Sequence, residues 1–201
     1  MSDARANPSR FEEAVARFDA ANAEDPNREV FEGQEHPKEL LYARRMTAWI
    51  EKLAPEASEA LRLAARCQHI RRWTIPRDRY PHDLAGYKQW RITLARFHAE
   101  TAGQILREVG YDDATIERVG ALLRKERLKL DPEAQRLEDV ICLVFLESYF
   151  ASFARQHDEA KLVDILRKTW KKMSERGREA ALGLTLDPEL RAIVEKAVAG
   201  A

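Results

Sequence analysis

The chain has almost no cysteine: Cys67 and Cys142 are the only two of its 201 residues. Both sit inside apolar helical runs. They provide neither a disulfide framework nor a CxxC metal knuckle, and they read as buried thiols of a reducing compartment. Net charge is missing too, with 34 Lys and Arg against 34 Asp and Glu. No global field draws the chain to nucleic acid or to a membrane, so electrostatic recognition has to be local. No apolar run approaches the roughly 20 residues of a membrane-spanning helix. The polar start MSDARANPSR is not a signal peptide. A soluble, cytoplasmic protein is expected. Glycine-rich phosphate loops, HExxH helices and a Ser-His-Asp order are also absent, which removes the commonest nucleotide, zinc-protease and serine-hydrolase signatures. There is no strand-like alternation, internal repeat or low-complexity tract.

What is present is helical. With 45% apolar residues the chain can build a core. Phe11, Ala14, Val15 and Phe18 form one short amphipathic face, and a loop is expected from Glu24 to about His36. Leu40 to Leu53 reads as a second helix, closed by Pro55, and Glu56 to His69 as a third with apolar residues on more than one side. Gly86 to Val109 reads as a long helix stopped by Gly110. Asp112 or Asp113 can cap the next. Asp131-Pro132 and Asp187-Pro188 each place an aspartate cap before a proline whose missing N–H costs nothing there. Asp158 to Met173 is a further helix. The spacing predicts a single all-α helical bundle: an N-terminal helix within 1–30, site-bearing helices over 35–147 and C-terminal helices over 158–201.

The segment from Ala64 to Arg91 departs most from ordinary helical sequence. It carries Arg71, Arg72, Arg77, Arg79, Lys88 and Arg91 among Trp73, Tyr80, Tyr87 and Trp90, punctuated by Pro76, Pro81 and Gly86. Guanidinium forks bind phosphate or carboxylate, and rings stack on bases or on guanidinium planes. Gln68, Arg72, Trp73, Arg77, Tyr80, Tyr87, Trp90 and Arg91 are therefore the candidate binding residues for an anionic small molecule. A structural loop, with its arginines paired to surface carboxylates and its tryptophans plugging the core, is the plainer alternative. Single-stranded nucleic acid is a third option, disfavoured by the neutral charge and the short basic segment.

Polar groups also interrupt the apolar pattern at His36, His69 and His98, and at Glu138-Asp139 inside the most apolar helix. A buried carboxylate needs a partner: histidine, a cation or a metal. The order of these groups resembles the HD superfamily of helical phosphohydrolases, over roughly Glu35 to Glu147. That superfamily places a histidine at a helix start, a His-Asp pair ending a later helix, and a final aspartate on a central apolar helix. AARCQHI resembles its AALLHDI type of segment, RLEDVICLVFLE its KDADLLDRL type, and FHAETAGQILREVGYDD its intervening helix-turn. Gln68-His69 stands where His-Asp would be, and Lys125-Glu126 where a further histidine would follow. The resemblance implies either one divalent metal (Mn, Fe or Zn) held by His36, His69 and Asp139, or Lys125 in the metal position supplying the charge itself.

Over nearly its full length the chain also resembles the domain of unknown function 4202 family. The run QHIxRWxxPRxxYPxxxxGYxxWR spans Gln68 to Arg91, EDVxCLVFL spans Glu138 to Leu146, and KTWxKMS spans Lys168 to Ser174. Three functions are in play. One is a metal-dependent hydrolase of a small phosphorylated or anionic substrate, with His98, Glu138 and Lys125 as catalytic groups. Another is a catalytically inert module binding an anion or nucleotide on the same scaffold, which the loss of the His-Asp pair favours. The third is a structural or interaction protein.

Overall fold

The computed structural model describes residues 8–199. The polar start read as no signal peptide lies, for residues 1–7, outside the described residues. The protein is mostly helical. Two compact units can be distinguished, Met1–Thr47 with Glu56–Glu126 and Ala48–Pro55 with Arg127–Ala201. The stretch 35–147, expected to carry the site, is thus divided between them.

The first unit contains α1 (Arg10–Ala23), a hairpin of β1 (Arg28–Phe31) and β2 (Gln34–Pro37), and the start of α2 (Lys38–Leu53). It continues with α3 (Glu59–Arg66), α4 (Leu84–Val109) and α5 (Asp113–Leu123). Side-chain caps set the starts. Ser9 and Glu12 close a capping box on α1, and Ser58, Asp83 and Asp112 accept from backbone N–H groups of α3, α4 and α5. Gly110, at φ 90°, ends α4 in the left-handed conformation that glycine adopts without penalty. α4 packs along α5 and α1, and α3 packs against both. Arg66 of α3 grips both oxygens of Asp19 on α1 at 2.7 and 2.5 Å. The buried layer includes Phe18, Leu61, Leu63, Ile70, Leu94, Leu106 and Leu122.

The hairpin corrects the expected loop up to His36. Its antiparallel register pairs Arg28 with Pro37, Glu29 with His36, Val30 with Glu35 and Phe31 with Gln34. Glu32 and Gly33 turn the chain at φ 51° and 76°, the two left-handed positions of a tight hairpin turn. Val30, Phe31, Gln34 and Glu35 are all exposed, so no apolar face alternates along either strand, and pattern reading had nothing to detect.

The second unit contains the end of α2, then α6 (Pro132–Val144) and one π-helical turn at Phe145–Tyr149. α7 (Phe150–Ala154), α8 (Glu159–Lys172), α9 (Glu175–Leu182) and α10 (Pro188–Val198) complete it. Asp131 caps α6 with Pro132 just inside it, as expected. α6 packs on α9 and α8, and α8 on α10. Leu137, Val140, Leu143, Val144 and Phe150 are almost wholly buried there. Among the described residues, no helix is long and apolar enough to cross a membrane.

Candidate functional site

The site grows from the end of α3. That helix closes at Arg66 rather than at His69, and the chain turns through Cys67–Arg71 before a short 3-10 segment at Arg72–Thr74. Arg71 adopts φ 50°, a conformation that costs a non-glycine residue about 1–3 kcal/mol and persists only where surroundings impose it. Here the imposing group is Asn22, wholly buried on α1, whose side-chain oxygen accepts from the Arg71 N–H at 3.0 Å. The Arg71 guanidinium turns outward to Glu24 at 3.1 Å, while Arg72 points inward.

Arg72 lies over the Trp90 ring, 4.7 Å from its centroid. Trp90 is itself anchored by its indole N–H to the Ile75 carbonyl at 2.9 Å. A guanidinium stacked in this way keeps its charge and loses freedom, so it is oriented before any ligand arrives. Arg72 also reaches His69 Nε2 at 3.3 Å and Glu39 Oε1 at 3.9 Å. Because guanidinium only donates, His69 Nε2 must accept. The ring proton therefore sits on Nδ1, which donates to Glu39 Oε2 at 3.1 Å. The Tyr42 ring stacks on the imidazole, with centroids 4.0 Å apart and planes at 12°.

Burial pushes the Glu39 carboxyl up to about 7, against the opposing pull of Arg72 and Lys38. Burial also holds His69 well below the ordinary histidine range, and Arg72, Arg91, Lys125 and Lys38 add to that effect. His69 is therefore a neutral imidazole at pH 7, set in the combined field of several cations.

His69 and Arg72 border a cavity of about 400 Å³ within the first unit, whose lining also includes Gln68, Arg91, His98 and Lys125. Arg91 and His98 project from α4. Lys125 follows the end of α5 at φ 57°, a second strained non-glycine position after Arg71 and one that does line the cavity. Arg124, beside it, is paired with Glu117 and Glu126 at 2.6 Å each. Arg91 has no carboxylate within ion-pair distance among the described residues.

The other expected site residues lie elsewhere. Trp73, Arg77, Tyr80, Tyr87 and Trp90 are not part of the cavity lining. Arg77 braces its own loop, donating to the carbonyls of Tyr80, Pro81 and Asp83 at 2.8, 2.6 and 3.5 Å. Tyr87 is exposed beside Trp90, at 6.0 Å between ring centroids. His36 lies on β2 near the Phe31 ring, 6.4 Å away between centroids.

Asp139 is buried in the second unit and shares its carboxylate among Ser174 N, Ser174 Oγ and Gln135 Nε2 at 2.8, 2.5 and 3.0 Å. It thereby secures Ser174, the cap of α9. Gly177 follows from this contact, since an added Cβ there would meet the Asp139 carboxylate at 2.7 Å. Glu138, also buried, has the Lys172 ammonium 4.0 Å away. Among the described residues, no group of three or more His, Cys, Asp and Glu side chains is placed to hold a metal ion, His36, His69 and Asp139 included.

Sequence reasoning missed Glu39. A signal was present: Glu39, Tyr42, Ala43, Met46 and Ile50 share one helical face, and all five are buried. A carboxylate in line with such a face needs a partner.

Residues 12–194 match the family described as domain of unknown function (DUF4202), and the chain belongs to that family. No curated protein and no solved structure matches it.

Proposed function

We propose that the cavity binds a small phosphorylated or otherwise anionic molecule, held by Arg72, Arg91 and Lys125. The observation that carries this reading is the convergence of these three cations on one recess, whose lining carboxylate Glu126 is paired with Arg124 and whose neighbour Glu39 is pushed toward its neutral form. Like charges gathered in one recess repel one another, and an anion relieves that repulsion while accepting directed hydrogen bonds from the guanidinium forks. Isothermal titration with methyl phosphate, and with sulfate as a second oxyanion, tests the reading. Binding should weaken with added salt. Arg72→Ala, or Arg91→Ala combined with Lys125→Ala, should weaken it by about tenfold to a hundredfold, the worth of one or two charge-assisted hydrogen bonds. If neither oxyanion binds the wild-type protein at millimolar concentration, the reading is wrong.

A second reading, hydrolysis of that anion on an HD-like cytoplasmic scaffold, is favoured by the Glu39–His69 pair. A carboxyl near 7 hydrogen-bonded to an oriented imidazole can give or take a proton at neutral pH. Phosphatase assays with and without chelator, and with added Mn, Fe or Zn, separate its two versions. Turnover that survives chelation and is lost in Glu39→Gln assigns the chemistry to the pair. Turnover that requires added metal assigns it to the metal-dependent version.

A further inference from the structure

The cavity has a second wall that its cations do not explain. Gln68 and His98 both line it and are 5% and 3% exposed. In each, one buried polar atom has no hydrogen-bond partner among the described residues: Gln68 Oε1 and His98 Nε2. Such atoms are uncommon in folded proteins, and an unmade hydrogen bond in a buried setting is unfavourable.

The polarity of the His98 atom can be worked out. Its Nδ1 is 2.8 Å from the Ile70 carbonyl oxygen. A carbonyl only accepts, so Nδ1 carries the proton and Nε2 presents a lone pair. Burial, His69, Arg72 and Arg91 all hold the ring below the ordinary histidine range, so Nε2 stays an acceptor at neutral pH. Gln68 Oε1 is an acceptor by its nature. A bare oxyanion cannot satisfy either atom, because it brings only acceptors of its own. An ammonium could, but it would sit beside Arg72 and Arg91. A neutral hydroxyl meets both requirements, whether it belongs to a bound water or to a ligand, and only the second makes affinity depend on the ligand's hydroxyls. The volume agrees, since a phosphate alone would leave much of about 400 Å³ empty.

We infer that the ligand is a hydroxylated phosphomonoester, a polyol or sugar phosphate, with its phosphate among Arg72, Arg91 and Lys125 and its hydroxyls donating to His98 Nε2 and Gln68 Oε1. This inference rests on the anion-binding reading above. The decisive comparison is between ligands that share a phosphate and differ in hydroxyls: propyl phosphate, glycerol 3-phosphate and ribose 5-phosphate, titrated calorimetrically into the full chain. The two hydroxylated ligands should bind about tenfold or more tightly than propyl phosphate, the worth of one or two hydrogen bonds to buried acceptors. In His98→Phe, and separately in Gln68→Met, the ratio of glycerol 3-phosphate affinity to propyl phosphate affinity should fall toward one.

Equal affinity for all three ligands in the wild-type protein overturns the inference and leaves the anion-binding reading standing. A preference that persists undiminished in both variants overturns the assignment of the two acceptors. Failure of all three ligands to bind removes the anion-binding reading, and the inference with it. Should either variant misfold by circular dichroism, the wild-type comparison still decides.

Discussion

Glu39→Gln probes the electrostatics of the cavity without reference to any ligand. The wild-type carboxyl is raised from 4.5 to about 7, and burial is the largest cause. Between those two values the folded protein holds a proton that the unfolded chain has released, so stability falls as pH rises. The contribution is fully present below about 4.5 and lost by the time pH passes 7. A shift of roughly 2.5 units at about 1.36 kcal/mol each amounts to about 3 kcal/mol across that window. Glutamine has the same shape and nothing to titrate. The difference in unfolding free energy between variant and wild type should therefore move in the variant's favour by about 2–4 kcal/mol between pH 4.5 and 8. The attraction of Arg72 acts on the ionised carboxylate and is already contained in the raised value, whereas packing and hydrogen-bond differences between carboxyl and amide add an offset that does not change with pH, so only the change with pH is diagnostic. Urea denaturation of both proteins at matched pH values measures it, and all other carboxylates cancel in the comparison. A difference that stays flat across the window would falsify the burial argument. One that moves the opposite way would mean that Arg72 dominates over desolvation.

Two further substitutions test the supports of the fold. Gly86→Ala would place a Cβ 2.2 Å from the Pro81 carbonyl oxygen, a backbone group that cannot swing aside. It should lower stability by at least about 2 kcal/mol, and an unchanged melting temperature would show that the loop yields freely. Asp139→Ala removes the acceptor shared by Ser174 and Gln135. It should lower stability by about 3 kcal/mol or more through lost charge-assisted bonds, with no change in the manganese, iron or zinc content of the purified protein. A variant that folds as well as wild type but loses bound metal would assign Asp139 the role of a ligand.

The helices were legible because their signals are local. Asp131-Pro132 and Asp158 mark their starts and Gly110 an end, and the structure uses each of them. Asp83 adds two residues to what the pattern of α4 suggests, placing its start at Leu84 instead of Gly86. The third helix ends three residues early because Asn22, far away in sequence, captures the Arg71 N–H and stabilises a left-handed turn. Nothing near Arg71 in sequence announces that partner. α9 also escaped notice, since only eight residues follow the Ser174 cap and the helix carries two arginines and a glycine.

The site was half legible for a related reason. An unusual composition drew attention to Gln68–Arg91, but composition cannot say which of several arginines faces inward. Arg77 and Arg72 look alike in sequence. One is spent on three loop carbonyls, whereas the other is stacked on Trp90 and turned toward His69. Likewise Asp139, chosen because a buried carboxylate demands partners, does have them, yet they are a serine and a glutamine of its own unit that secure a helix start. The same demand applied to Glu39 leads to His69 and Arg72. A buried acid in a helical sequence is thus a sound signal that something must meet it. Whether that partner is a structural cap or a binding group depends on contacts far apart in the chain, which periodicity does not encode.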